Sequence, residues 1–126
     1  MTPSPNHACV RRAQAPAVVA CAALIIGGCA AMSTQQAAPS VTPALIDAGN
    51  ARGLAPADIK RGREIFVGRC AECHTLQPPV GRTEAQWREV LPRMARRARL
   101  DADEARAVEA YVFSARTART AASASN

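Results

Sequence analysis

Two cysteines set two residues apart and followed at once by histidine, Cys70-Ala71-Glu72-Cys73-His74, constrain this chain more than any other stretch of it. At that spacing one turn of helix presents two thiols to one edge of a flat ring, and the next residue delivers an imidazole beneath its centre. Covalent haem attachment needs that order: each sulfur adds to a vinyl group of the porphyrin, and the histidine ligates the iron. A zinc site would want two more ligands, and beyond residue 29 the chain has no other Cys or His. A thioredoxin-like pair would want a strand-and-helix scaffold, and no strand pattern precedes the motif. A redox disulfide and a chance match stay open beside the haem reading.

The rest of the chain needs such a staple. Of its 126 residues 48% are hydrophobic, but 29 are alanine, and the four aromatics (Phe66, Trp87, Tyr111, Phe113) all fall in one stretch. So few large side chains bury little apolar area, and small domains of that kind lean on a metal, cofactor or disulfide. The length leaves room for one small domain with a tail or two.

Residues 1–28 read as an export signal, with Arg11-Arg12 ahead of an apolar run from Ala17 to Ile26. That run is half the roughly 20 residues of a membrane span. Arg11-Arg12 lacks the flanking residues of a twin-arginine signal. Ile26-Gly27-Gly28-Cys29 resembles the bacterial lipobox, which implies that Cys29 carries lipid and opens the exported protein; an ordinary signal with an incidental cysteine is the alternative. Cys9 and Cys21 would leave with the signal, so Cys70 and Cys73 enter an oxidising compartment as the remaining pair. Ala30, in place of aspartate, resembles lipoproteins sent to an outer membrane. Residues 29–55, rich in Ala, Pro, Ser, Thr and Gln, are expected to form a flexible tether averaging roughly 25–30 Å.

Helical periodicity starts next. Ile59, Gly62, Ile65, Phe66 and Arg69 share one stripe over about 57–69, with Lys60, Arg61 and Arg63 outside it. Gly62 costs about 1 kcal/mol of helix propensity, which predicts a close crossing by another helix there. Thr83 and Gln86 form a capping-box pattern ahead of Trp87, Val90, Leu91 and Met94, and Pro92 predicts a kink or restart near position 91. Asp101 and Glu104 repeat the capping pattern ahead of Val108, Tyr111 and Val112, in a helix expected to end near Arg116. No alternating strand pattern, repeat or Gly-rich phosphate loop occurs, so the expected fold is all-α, three to four helices around a haem. The tail from Thr117 to Asn126 is small and polar and is expected to be disordered.

Over about residues 56–116 the chain resembles a small class I cytochrome c domain. The likeness rests on Gly62-Arg63-Glu64-Ile65-Phe66 ahead of Cys70, on the haem motif, and on Val108-Glu109-Ala110-Tyr111-Val112, whose aromatic would meet the glycine. The resemblance implies one covalent haem c held by Cys70, Cys73 and His74, with a methionine as second iron ligand. Met32 lies in the tether, which leaves Met94. Residues 75–82 can extend about 26 Å, enough to round the haem edge. The segment from His74 to Met94 is short for the family, and the usual methionine sits on a loop; a core methionine over an open iron is the other reading. Pro78 or Pro79 resembles the family's proline whose carbonyl accepts from the imidazole, or simply ends a loop. Trp87 and Arg82 are candidate donors to the propionates, or are ordinary packing and surface residues.

The full chain carries +6; without Arg11 and Arg12 it has 14 basic against 10 acidic residues, a net +4, which two propionates lower to about +2. Arg93, Arg96, Arg97 and Arg99 cluster beside Met94, either as a rim that steers an acidic redox partner or as a solvated helix face. Export and the lack of interleaved aromatics disfavour nucleic acid. The expectation is a membrane-tethered, periplasmic one-electron carrier with His/Met-ligated iron, not an enzyme, served by redox partner proteins. Two alternatives are a haem-based ligand sensor with an open sixth site and the haem subunit of a larger dehydrogenase or oxidase.

Overall fold

The computed structural model describes residues 34–126; the signal segment and Cys29 lie outside the described residues. Two crossing helices form the frame. The first, α3 (Pro56–Gly68), opens with Pro56 in its first turn and Asp58 close behind, a rigid starter followed by a charge that suits the helix dipole. It buries Ile59, Gly62, Ile65 and Phe66, the stripe read from the sequence. The second, α5 (Ala102–Ala124), starts from a complete capping box: Glu104 N–H donates to Asp101 Oδ1 at 2.8 Å and Asp101 N–H to Glu104 Oε2 at 3.1 Å.

These helices meet at Gly62. A Cβ placed there would lie 1.8 Å from the Ala107 carbonyl oxygen and 2.9 Å from Tyr111 Cβ, so only glycine lets the backbones approach this closely. One turn on, the Phe66 and Tyr111 rings pack with centroids 5.6 Å apart and planes tilted by 53°. The expected glycine crossing is present.

The helix α4 (Glu84–Arg97) is capped as expected, with Thr83 N–H donating to Gln86 Oε1 at 2.8 Å and Gln86 N–H to Thr83 Oγ1 at 3.2 Å. It does not restart at Pro92. The helix runs unbroken to Arg97, because Pro92 and Arg88, whose carbonyl the proline leaves unpaired, are both exposed and water can serve that oxygen. Beyond it the chain turns sharply: Leu100 N–H donates to Ala95 O at 3.0 Å, and Arg99 adopts φ 53°, a left-handed position that helix ends usually give to glycine.

The expected tether is folded over its C-terminal part. After a single turn α1 (Thr34–Ala37), Ala37 and Ala38 are buried, and α2 (Pro43–Asn50), capped by Thr42, inserts Leu45 and Gly49 into the core. Gly49 is a second close approach, since a Cβ there would lie 2.3 Å from Ile59 Cδ1 and 2.6 Å from Ser114 Oγ. The Pro39 carbonyl accepts from Tyr111 Oη at 2.8 Å and Arg63 Nε at 3.1 Å, and the Ala38 carbonyl from Arg63 Nη2 at 3.3 Å. This strap covers a second face of α5, which explains why Ala107, Val108 and the whole run from Ala110 to Ala115 are buried. Burial also pushes the Tyr111 phenol up to about 12.

The expected disordered tail is helical instead, as α5 continues to Ala124. Its alanines favour helix, and the Thr120 and Ser123 hydroxyls find partners within it, donating to the Arg116 and Arg119 carbonyls at 2.6 and 3.0 Å, bonds that add no helix stability of their own. Among the described residues no strand forms, and the architecture is all-α. No helix among them is long and apolar enough to cross a membrane.

An ion pair ties the strap's exit to α4. Arg52 grips Glu84 with two hydrogen bonds, at 2.8 and 3.2 Å, and Arg88 bonds the same carboxylate. These bonds hold the Glu84 carboxyl down at about 2, against an ordinary value of 4.5. A carboxylate whose folded pKa is depressed stabilises the fold above its unfolded pKa, and that stabilisation is lost as pH falls through the folded value. Acid titration followed by circular dichroism should therefore show Glu84→Gln less stable than wild type above pH 4.5, with the difference closing by about pH 2. The gap stays under about 1 kcal/mol, because the pair faces solvent. A gap that persists below pH 2 would contradict this assignment.

Candidate functional site

The end of α3 places the cysteine motif. Arg69 and Cys70 both donate backbone N–H groups to the Ile65 carbonyl, at 2.8 and 3.3 Å, so the helix hands its last turn directly to the motif. Cys70 is half-buried, Cys73 and His74 are exposed, and both thiols are free. Burial pushes the Cys70 thiol up; the charge of Arg69 works against that shift and Cys73 adds to it. His74 Nδ1 lies 2.8 Å from the Thr75 carbonyl oxygen. With Nδ1–H donating there, Nε2 is the ring atom left with a lone pair for a metal.

A cavity of about 250 Å³ opens between the motif and α4. Cys70, Cys73, His74 and Met94 all line it, with Phe66 and Trp87 among its apolar walls. The structure therefore brings the four residues singled out in the domain to one hollow, although Met94 comes from a helix and not a loop. Met94 and Cys70 also line a second hollow, of about 270 Å³, walled by Leu91, Pro92, Ala95, Leu100, Ala105 and Val108. The methionine thus stands between two spaces.

Three secondary expectations are resolved by the hydrogen bonding. The Trp87 indole N–H donates to the Pro79 carbonyl at 2.7 Å in a buried contact, so it is already engaged and is no free propionate donor. The same bond occupies the Pro79 carbonyl, and the Pro78 carbonyl accepts from Gly81 N–H at 2.8 Å; the imidazole pairs with Thr75 instead. Arg82 fits its expectation better. Its guanidinium lies 5.9 Å from the Trp87 ring centre on the cavity wall, and its buried Nε has no hydrogen-bond partner. A buried donor without an acceptor is costly, and an anionic group in the cavity would satisfy it.

Arg69 was legible only as part of a helical stripe, yet it makes the longest-range polar contacts of the site. Its Nη2 donates to the carbonyls of Ala98 and, at 3.2 Å, Arg99, while Nη1 lies 3.6 Å from Glu104. The signal that was available is its position directly before Cys70. On the α4 surface Arg93 pairs with Glu89 at 3.4 Å, and Arg96 and Arg97 are exposed on the rims of the two hollows.

Among the described residues no three His, Cys, Asp or Glu side chains come together as a metal cage. The chain matches no family model, no curated protein and no solved structure.

Proposed function

We propose that this chain is a monohaem c-type cytochrome that carries single electrons on the periplasmic side of a bacterial membrane, held there by lipid on Cys29. The observation that carries the reading is the convergence of Cys70, Cys73, His74 and Met94 on one cavity that Arg82, whose buried Nε has no hydrogen-bond partner, also lines. That donor set suits haem c: two thiols for the vinyl groups, an imidazole nitrogen and a thioether for the iron, and a guanidinium for a propionate. When bound, haem supplies a one-electron iron couple, whose potential a methionine ligand raises.

The chain's residues have distinct tasks in this reading. Thr75 fixes the His74 tautomer and so directs Nε2 to the metal. Phe66, Trp87 and Leu91 exclude water from one side of the cavity. The exposed positions of Cys73 and His74 leave another side near the surface, where a redox partner can approach. Arg96 and Arg97 favour a partner with an acidic surface. Held by both His74 and Met94, a bound haem would supply electron transfer and not substrate chemistry, so the reading is of a carrier and not an enzyme.

A second reading rests on the hollow behind Met94. Because that space can receive the side chain, a haem-based sensor in which a small ligand displaces Met94 is the competing function. Visible spectra of the membrane fraction, oxidised, reduced and reduced under carbon monoxide, decide between them when combined with acid extraction. Sharp low-spin bands, no carbon monoxide shift and haem retained on the polypeptide are expected. A rapid shift with covalent haem would favour the sensor, and a protein without haem would overturn both readings.

A further inference from the structure

We infer that Arg69 is a positioning residue that keeps Met94 on the iron, by pinning the left-handed turn at the end of α4 to the residue that precedes the first haem-bearing cysteine. The inference rests on the His/Met reading above. It starts from how α4 is attached. At its N-terminal end the helix is fixed by the Arg52–Glu84 pair, the Thr83 cap and the Trp87–Pro79 bond. In the middle, Leu91 is buried, but Leu91 and Met94 both border the two hollows, so packing alone does not hold the methionine to one side.

The C-terminal end is held differently. The turn at Ala98–Leu100 contains the one non-glycine residue with positive φ among the described residues, Arg99, a conformation costing of order 1 kcal/mol that needs support from its surroundings. Arg69 supplies that support, donating to the two carbonyls that flank the Arg99 Cα, those of Ala98 and Arg99. Glu104, which also caps α5, sits 3.6 Å from the same guanidinium. One planar cation therefore links the Cys70 arm, the end of the Met94 helix and the start of α5. A guanidinium can serve both carbonyls and the carboxylate at once; a lysine ammonium has neither the span nor the fork.

The test uses full-length holoprotein. In Arg69→Met, acid extraction should show haem still covalent, while the thioether–iron charge-transfer band weakens and the midpoint potential falls. Carbon monoxide binding to the reduced protein should accelerate about tenfold or more, as expected when the closed state loses a charge-assisted hydrogen bond. Amide exchange at Arg99 and Leu100 should also rise, a readout that does not depend on the iron. Glu104→Gln keeps the carbonyl bonds and should change the band and the potential little; an effect as large as that of Arg69→Met would overturn the carbonyl clamp. If Arg69→Met yields no folded holoprotein, Arg69→Lys decides, with partial opening expected and a wild-type spectrum counting against the role. A wild-type protein that already binds carbon monoxide fast and lacks the band would sink the His/Met reading and this role with it. A closed wild type with an equally closed Arg69→Met would sink this role alone.

Discussion

Gly62→Ala is expected to lose about 3 kcal/mol or more of stability, at the upper end of what overpacking one methyl group costs. The added carbon would stand 1.8 Å from the Ala107 carbonyl oxygen, and the obstacle is backbone, which cannot rotate aside as a side chain can. The α3–α5 crossing would have to open by more than an ångström, which unpacks Phe66 from Tyr111 and loosens the helix that ends in Cys70. The roughly 1 kcal/mol that alanine contributes to helix propensity offsets only part of this. Gly68, on the same helix with nothing near its missing Cβ, is the control: Gly68→Ala should be neutral or mildly stabilising. Urea unfolding of the two holoproteins measures the contrast, and equal midpoints would mean that the crossing is looser than described.

Met94→Ala is expected to leave the fold and the covalent haem in place and to change the iron from six ligands to five or to a water-bound state. Met94 is half-buried and borders open space on both sides, so its truncation enlarges existing hollows more than it opens a new cavity in packed core. The reduced protein should then bind carbon monoxide readily, and the midpoint potential should fall with the loss of the thioether. An unaltered low-spin spectrum would remove Met94 from the ligand set. Because His74 is the only histidine beyond residue 28, that outcome would point to a second ligand other than histidine.

What the sequence disclosed was local. The Cys70–His74 motif, the two capping boxes and the Gly62–Phe66 stripe each occupy a few consecutive turns, where spacing and side-chain chemistry speak directly. The strap was hidden for a physical reason. Its anchoring contacts are made by the Ala38 and Pro39 carbonyls, atoms every residue has, and their partners Arg63 and Tyr111 lie 24 to 72 positions away. Its fully buried apolar side chains are Ala37, Ala38 and Leu45, with Val41 and Ile46 partly buried beside them, too sparse for a period to emerge. Arg69 escaped notice in the same way, since it bonds to carbonyls 29 and 30 residues on. Of the kink or restart expected at Pro92, the restart is absent, because the carbonyl that the proline frees belongs to exposed Arg88 and can be served by water.

The folded strap also redefines the leash. With Ala37 already seated in the core, only residues 30–36 separate a lipid on Cys29 from the packed domain. Seven residues span at most about 25 Å, no more than the mean reach of the longer linker read from composition. Under the proposed lipid anchor on Cys29, the domain would be held within that distance of the bilayer surface. The proposed carrier would then meet its partners by gliding in two dimensions, and would serve those that present a docking face within a protein's width of the same leaflet.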